Sequence, residues 1–160
     1  HIDFLFLILL LSYQLHKFLF LLRKTQLSFL IFGIKVFVFL LLLYHLINGI
    51  ANNIQYYQNK LEDLKVVIVA HGNSYKFFLK DLSNTMYKND KEVIKKQKLL
   101  YQRLKNLVEF YGVKIEICEV GMKARGLKKE NLYEFVKPIY TALTGLVEWQ
   151  NKGYAYMIVP

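Results

Sequence analysis

From residue 47 onward, segments patterned like strands alternate with segments patterned like helices, and this alternation constrains the fold more than any other feature. Residues 64–70 form a nearly continuous apolar run of strand length, which is typical of a central parallel strand covered on both faces. Residues 113–118 alternate apolar and polar side chains, the period of a strand with one buried face. Between these strands, apolar residues at three- and four-residue steps predict a helix that ends at Gly112. Because strand and helix alternate, we expect an α/β domain with a mostly parallel sheet.

The same pattern extends to the rest of the domain and predicts a three-layer α/β/α arrangement with about five strands. The predicted strands are residues 34–40, 64–70, 113–118, 136–140 and 154–159. The predicted helices are residues 47–61, 75–80, 93–111, 129–135 and a last one that begins at Thr141 or Thr144 and ends before Gly153. Asn89 or Asp90 is a suitable N-cap for the longest helix, and Pro138 favours a sheet edge or a strand start for the fourth strand.

Composition divides the chain into an apolar N-terminal segment, residues 1–32, and the α/β domain, residues 33–160. Residues 4–22 are nearly all Leu, Phe and Ile and are long enough to cross a bilayer. Lys17 lies within this run, and a lysine at the centre of a membrane helix costs about 2.5–3.5 kcal/mol. If the run does span a membrane, Arg23 follows it and the positive-inside rule places the domain in the cytoplasm. We therefore expect a cytoplasmic protein, or one attached through residues 4–22 to the cytoplasmic face of a membrane.

Two alternatives remain for the beginning of the chain. Because the first residue is His1, residues 1–32 are alternatively a fragment, a processed product or an unreliable start of the reading frame. Residues 27–50 are also apolar over a membrane-spanning length. The β-branched and aromatic residues at 34–40 instead favour a buried strand, followed by an amphipathic helix.

The chain is strongly basic, with a formal net charge of +10 and a pI of about 9.6. Many of the cations fall within residues 88–105, where the apolar positions repeat at helical spacing. These lysines therefore coat one solvated helix face, and we expect no nucleic acid as a partner. A basic surface that attracts an acidic partner is the alternative interpretation.

The one cysteine of the chain, Cys118, falls at the carboxyl end of a predicted strand, where ligands collect in open α/β sheets. It is a candidate nucleophile or sulfur carrier, and a buried structural cysteine is the alternative. By strict alternation Cys118 shares a face with Lys114 and Glu116, so we expect an accessible thiol. Lys123 and Arg125 follow in the next loop, and nearby cations favour the thiolate.

His71 and Gly72 follow the other well-defined strand, so they are expected at the same sheet edge as the thiol. His71 could exchange a proton there, although a turn residue whose imidazole satisfies loop backbone is an equally good interpretation. The sequence has no glycine-rich phosphate loop, no signature of a Ser-His-Asp triad and no recognisable spacing of metal ligands. We therefore expect neither a metal nor a cofactor.

Several short motifs occur in an order and spacing that resembles the DsrE/DsrF-like family. They are NGIANNI at 48–54, VVIVAHG at 66–72, GVKIEIC at 112–118, MKARGL at 122–127 and QNKGYAY at 150–156. The resemblance covers about residues 47–160 and implies an α/β sheet fold, homo-oligomers that are often trimers or hexamers, and sulfur-relay chemistry. The aromatic residues at 154–156 are then candidates for a subunit interface.

In the sulfurtransferase members of that family a cysteine receives sulfane sulfur as a persulfide, and Cys118 occupies the matching position. The resemblance therefore implies Cys118 as the catalytic or carrier residue. His71 and Gly72 at the neighbouring strand end, and Lys123 and Arg125 in the next loop, are the expected supporting residues. Its partners would be sulfur donor and acceptor proteins or small thiols. Many members have no demonstrated activity, so the alternative is a non-catalytic oligomeric module that binds a small ligand or a protein.

Overall fold

A computed structural model describes residues 43–157, and this part of the chain has an α/β architecture built on a parallel sheet. Its strands are β1 (Val67–Ala70), β2 (Lys114–Cys118) and β3 (Val136–Ile139), in the order β1-β2-β3. Both pairings are parallel, with Ala70 opposite Ile117 and Cys118 opposite Ile139. The carboxyl ends of all three strands therefore meet at one edge of the sheet, as the α/β prediction required.

Helices connect these strands as predicted, except that a short helix forms at Glu119–Lys123, where the sequence indicated a loop after Cys118. They are α1 (helical over 43–58), α2 (Lys91–Tyr111), α3 (Glu119–Lys123) and α4 (Ala142–Asn151), together with short 3₁₀-helices at Gly72–Phe78 and Lys129–Asn131. Asp90 caps α2 through its side chain, and Gly112 ends that helix in the left-handed region at φ 65°. Thr141 caps α4 by accepting a hydrogen bond from the Thr144 N–H. These three helix ends confirm the caps read from the sequence.

The core is built from apolar side chains of α1, α2, β2 and the segment after β1. Its buried members include Ile47, Ile54, Phe77, Leu79, Leu82, Leu100, Leu104, Leu107, Ile115 and Ile117. Each large side chain removed from water contributes about 1.5–3 kcal/mol relative to leaving it exposed. Because β2 supplies core residues and pairs on both sides, it is the central strand of the described sheet.

The opposite face of β2 is covered by α4, which contacts all three strands. Glu116 lies on this face and is only 7% exposed, although its charge led us to expect the more accessible side of the strand. Its carboxylate accepts a hydrogen bond of 2.8 Å from the indole Nε1 of Trp149 in α4. Gly145 permits the close approach, since a Cβ there would collide with Ile139 and lie 3.5 Å from the Glu116 carboxylate. A polar residue in the alternating pattern thus marks a buried helix contact.

The described sheet has three strands, so the expectation of about five was wrong for this part of the chain. The predicted strand at 34–40 lies outside the described residues. Residues 154–157 form no strand because they complete the end of α4: the Tyr154 N–H donates to the Trp149 carbonyl, and the two rings pack edge to face at 4.9 Å. Strand β1 is mostly half-buried and lies at the edge of this sheet, whereas the sequence indicated a strand covered on both faces.

The predicted helix at 129–135 is also shorter than expected. After one turn at Lys129–Asn131 the chain instead pairs with the segment that follows the first 3₁₀-helix. Leu132 forms an antiparallel bridge with Leu79, and the Tyr133 N–H donates to the Phe78 carbonyl at 3.0 Å. These tertiary hydrogen bonds satisfy backbone groups that a longer helix would have paired internally.

The apolar segment at 1–32 lies outside the described residues, so its predicted role as an anchor stays a prediction. Within residues 43–157, none of the helices combines the length and the apolar character that crossing a bilayer requires.

Trp149→Phe should destabilise the domain because it leaves the buried Glu116 carboxylate without its indole donor. The expected loss is about 1–3 kcal/mol in the free energy of unfolding, the cost of an unpartnered buried polar group, measured by urea denaturation. In a Glu116→Leu background the same tryptophan substitution should cost clearly less, since no carboxylate then remains unpaired. An equal cost in both backgrounds would mean that Trp149 stabilises the domain only through its packing.

Candidate functional site

The thiol of Cys118 lies where the central strand ends and a helix begins. Cys118 is both the last residue of β2 and the N-cap of α3, and its Sγ accepts a hydrogen bond of 3.4 Å from the Gly121 N–H. The neighbouring strand β3 ends at Ile139, opposite Cys118, and leads directly through Thr141 into α4. Two helix N-termini therefore converge on one half-buried sulfur.

The environment of this sulfur favours its ionised form. Burial is the largest single influence and raises the pKa of the Cys118 thiol. The N–H groups of Gly121 and Ala142 act in the opposite direction, with smaller contributions from the Tyr75 hydroxyl and the Val120 N–H, which donate to the carbonyls of Cys118 and Tyr140, and the net pKa lies below its ordinary value. The first N–H groups of a helix have no partner within the helix, so they are available to stabilise a thiolate. A lowered thiol pKa increases the nucleophilic fraction at neutral pH.

Tyr75 holds the backbone of this junction in place. It is a buried residue of the first 3₁₀-helix, and its hydroxyl donates to the Cys118 carbonyl at 3.0 Å. A Cβ at position 121 would collide with the same hydroxyl, so the close approach requires Gly121. Burial, followed by the neighbouring Cys118, raises the pKa of Tyr75 well above its ordinary value. The phenol therefore remains a protonated donor throughout the neutral range.

Arg125 supports the same backbone from the other side. One guanidinium nitrogen, Nη1, donates to the Gly121 carbonyl at 3.1 Å. The guanidinium carbon lies 4.8 Å from the centre of the Tyr75 ring, within the range of a cation–π contact. Through these contacts Arg125 fixes the peptide and the ring that in turn contact Cys118.

Lys123 is directed toward a different partner. Its Nζ lies 2.9 Å from a carboxylate oxygen of Glu119 one helical turn earlier, and its side chain is 73% exposed. The hydrogen bond to Glu119, and then the charge of that carboxylate, raise the pKa of Lys123. Backbone N–H groups therefore lie next to the thiol. The sequence predicted the cations Lys123 and Arg125 in that place.

His71 and Gly72 lie at the same sheet edge as the thiol. Because Ala70 pairs with Ile117, the next residues along the two strands, His71 and Cys118, are placed side by side. The side chain of His71 is exposed, while its carbonyl accepts hydrogen bonds from the Ser74 N–H and hydroxyl at 3.4 and 2.8 Å. Gly72 adopts φ 69°, which favours glycine and starts the 3₁₀-helix that delivers Tyr75.

Four residues that lower the pKa of the thiol were not predicted from the sequence: Tyr75, Val120, Gly121 and Ala142. A usable signal was present for Ala142. Thr141 and Thr144 follow the strand predicted at 136–140, which is the next strand along the chain after the one that ends in Cys118. In a parallel sheet the helix that follows the neighbouring strand can begin beside the end of the central strand. Nothing in the local sequence indicates the approach of Tyr75. Among residues 43–157, no group of three or more His, Cys, Asp or Glu side chains is placed to hold a metal ion.

Comparison with known proteins adds two findings. A model of the DsrE/DsrF-like family matches residues 42–159, which include all three strands and the thiol junction. An uncharacterized protein of Aquifex aeolicus (strain VF5) is 29% identical to this chain over 97 residues. That similarity covers 56% of this chain and 43% of the Aquifex protein, so the matched part spans less than half the length of this relative.

Tyr75→Phe should slow alkylation of Cys118 by iodoacetamide severalfold at about pH 7, because the hydroxyl that donates to the Cys118 carbonyl and helps to lower the pKa of the thiol is lost while the ring remains. At about pH 9.5, where most of the thiol is ionised in either protein, the two rates should converge. Lys123→Ala is the matched control and should leave both rates nearly unchanged, since Glu119 already engages that ammonium. If Lys123→Ala slowed the reaction as much as Tyr75→Phe, the positive charge of Lys123 would be what stabilises the thiolate.

Proposed function

The chain belongs to the DsrE/DsrF-like family, and on that premise we propose that it carries sulfane sulfur as a persulfide on Cys118. Membership suggests a role in sulfur relay at the level of the family. The observation that supports the specific step is the half-buried thiol at two helix N-termini, with a pKa below its ordinary value. A nucleophilic thiolate in a partly enclosed place is what capture of a sulfur atom requires.

The proposed transfer consists of two exchanges at sulfur. The Cys118 thiolate attacks the sulfane sulfur of a donor, a new S–S bond forms, and the donor's S–S bond breaks with its electron pair leaving on the donor. With thiosulfate the leaving group is sulfite, and with a persulfide it is a thiolate. An acceptor thiolate then attacks the outer sulfur, and Cys118 leaves as a thiolate. No external oxidant or reductant is needed, because the sulfane sulfur keeps its oxidation level through both steps.

The residues around Cys118 have distinct roles in this scheme. The N–H groups of Gly121 and Ala142 stabilise negative charge on Sγ before attack and again when Cys118 is the leaving group. Tyr75 and Arg125 hold the carbonyls of Cys118 and Gly121, on either side of the N–H that Gly121 supplies. His71, at the adjacent strand end, is near enough in register to exchange a proton with an incoming or departing thiol.

Intact-mass spectrometry after incubation with thiosulfate or polysulfide tests this function. The chain should gain the mass of one or more sulfur atoms, and dithiothreitol should remove it. Cys118→Ser removes the only thiol of the chain and should gain nothing while remaining folded. If the native chain takes up no sulfur and Cys118 alkylates only after denaturation, the chain is instead a binding module of the same fold.

We also propose that the chain forms a homo-oligomer, with the outer side of α4 as part of the contact. Tyr140 and Leu143, just before and within this helix, are 72% and 71% exposed, and Val147 is exposed one turn later. Exposed apolar side chains grouped in this way are typical of protein–protein contacts. Light scattering at micromolar concentration should give the mass of a trimer or larger assembly, and replacing Leu143 by Glu should reduce it. A monomeric mass for the unaltered chain would contradict this proposal.

A further inference from the structure

We propose that a cleft beside the thiol junction is the docking surface for an acidic segment of the protein that exchanges sulfur with Cys118. This inference rests on the proposed function, because it concerns how a sulfur partner is held. The cleft has a volume of about 520 Å³ and lies among α3, the loop that follows it, and β3. We call it the lysine cleft, since its rim includes Lys123, Lys128, Lys129 and Lys137.

The floor of the lysine cleft is apolar and well fixed. Met122 and Leu127 line it with side chains that are otherwise buried in the domain, and the Leu127 N–H donates to the Met122 carbonyl at 3.0 Å. Pro138 of β3 lies opposite Ile117 of the central strand and adds a third apolar surface. A floor of this kind accepts an apolar side chain and offers it no hydrogen-bonding group.

The rim of the cleft is positively charged. Four lysines and two glutamates line it, an excess of two positive charges. Glu119 is already engaged by Lys123, which leaves Glu130 as the acidic residue among the three remaining lysines. The whole chain carries a formal charge of +10, so long-range attraction and the local rim both select a negatively charged partner.

Two residues that line the cleft are neighbours of Cys118, one along the chain and one across the sheet. Glu119 on its rim is the residue directly after Cys118, and Pro138 on its floor precedes Ile139, the strand partner of Cys118. A chain bound in the cleft would therefore have its neighbouring residues close to the thiol. The lysines are exposed and surround an apolar floor. A small anion needs donors that converge on one point, so this surface matches an acidic segment with one apolar side chain better.

Fluorescence anisotropy with synthetic peptides tests this docking surface. The probe is a labelled, cysteine-free peptide of aspartates and glutamates around one leucine; a second peptide has glutamines in place of the acids. The full-length chain should bind the acidic peptide in a salt-dependent manner and bind the glutamine peptide much more weakly. Lys128→Glu with Lys129→Glu should weaken binding of the acidic peptide about tenfold, because two attractive charges on the rim become repulsive ones.

The matched control reverses two exposed lysines at the start of another helix, Lys91→Glu with Lys95→Glu in α2, and should change affinity far less. The proposal would be overturned if the acidic peptide failed to bind. It would also be overturned if both double variants lost the same affinity for the peptide, because that result indicates only general attraction to a basic chain. Competition by millimolar thiosulfate would also overturn it and indicate a small-anion site. The Cys118→Ser protein should bind the peptide as well as the native chain does. A failure of peptide binding can therefore be told apart from a failure of sulfur uptake.

Discussion

The lowered pKa of the single cysteine depends on the stabilisation that backbone N–H groups give to its sulfur atom. Burial alone would raise the pKa of the Cys118 thiol and make it unreactive. The lowering contributions, led by the N–H groups of Gly121 and Ala142, together outweigh that effect; these two groups belong to helix starts, where donors have no partner within the helix. A half-buried sulfur can therefore be partly protected from solvent and still have a pKa below its ordinary value.

The fold supplies this geometry through the parallel arrangement of its strands. Since β2 and β3 run in the same direction, both end at one edge, and the helices that follow them begin there. Gly121 then allows Tyr75 to approach closely enough to hold the strand end. Residues that follow or end these strands also line the basic cleft, so the proposed capture of sulfur and the proposed recognition of its donor or acceptor share one edge of the sheet.

Local signals in the sequence predicted much of the fold, and non-local contacts account for what they missed. Gly112 and Thr141 end and begin helices as expected because a left-handed glycine and a capping hydroxyl act within a few residues. Glu116 was expected on the accessible side because alternation cannot show that Trp149, 33 positions later, satisfies its carboxylate. The hydrogen bond of Tyr75 to the Cys118 carbonyl joins residues 43 positions apart, so the local sequence could not show which side chain holds the end of the strand.

A pH titration of thiolate absorbance tests the central claim most directly. The signal of the native chain, with the Cys118→Ser protein subtracted to remove tyrosine ionisation, should give a midpoint below that of the same chain unfolded in denaturant. The native midpoint should be the lower one because the pKa of Cys118 is lowered in the fold, which means that the native state binds this proton less tightly than the unfolded state does. A native midpoint equal to or above the unfolded one would contradict the account, because burial would then outweigh the helix N–H groups.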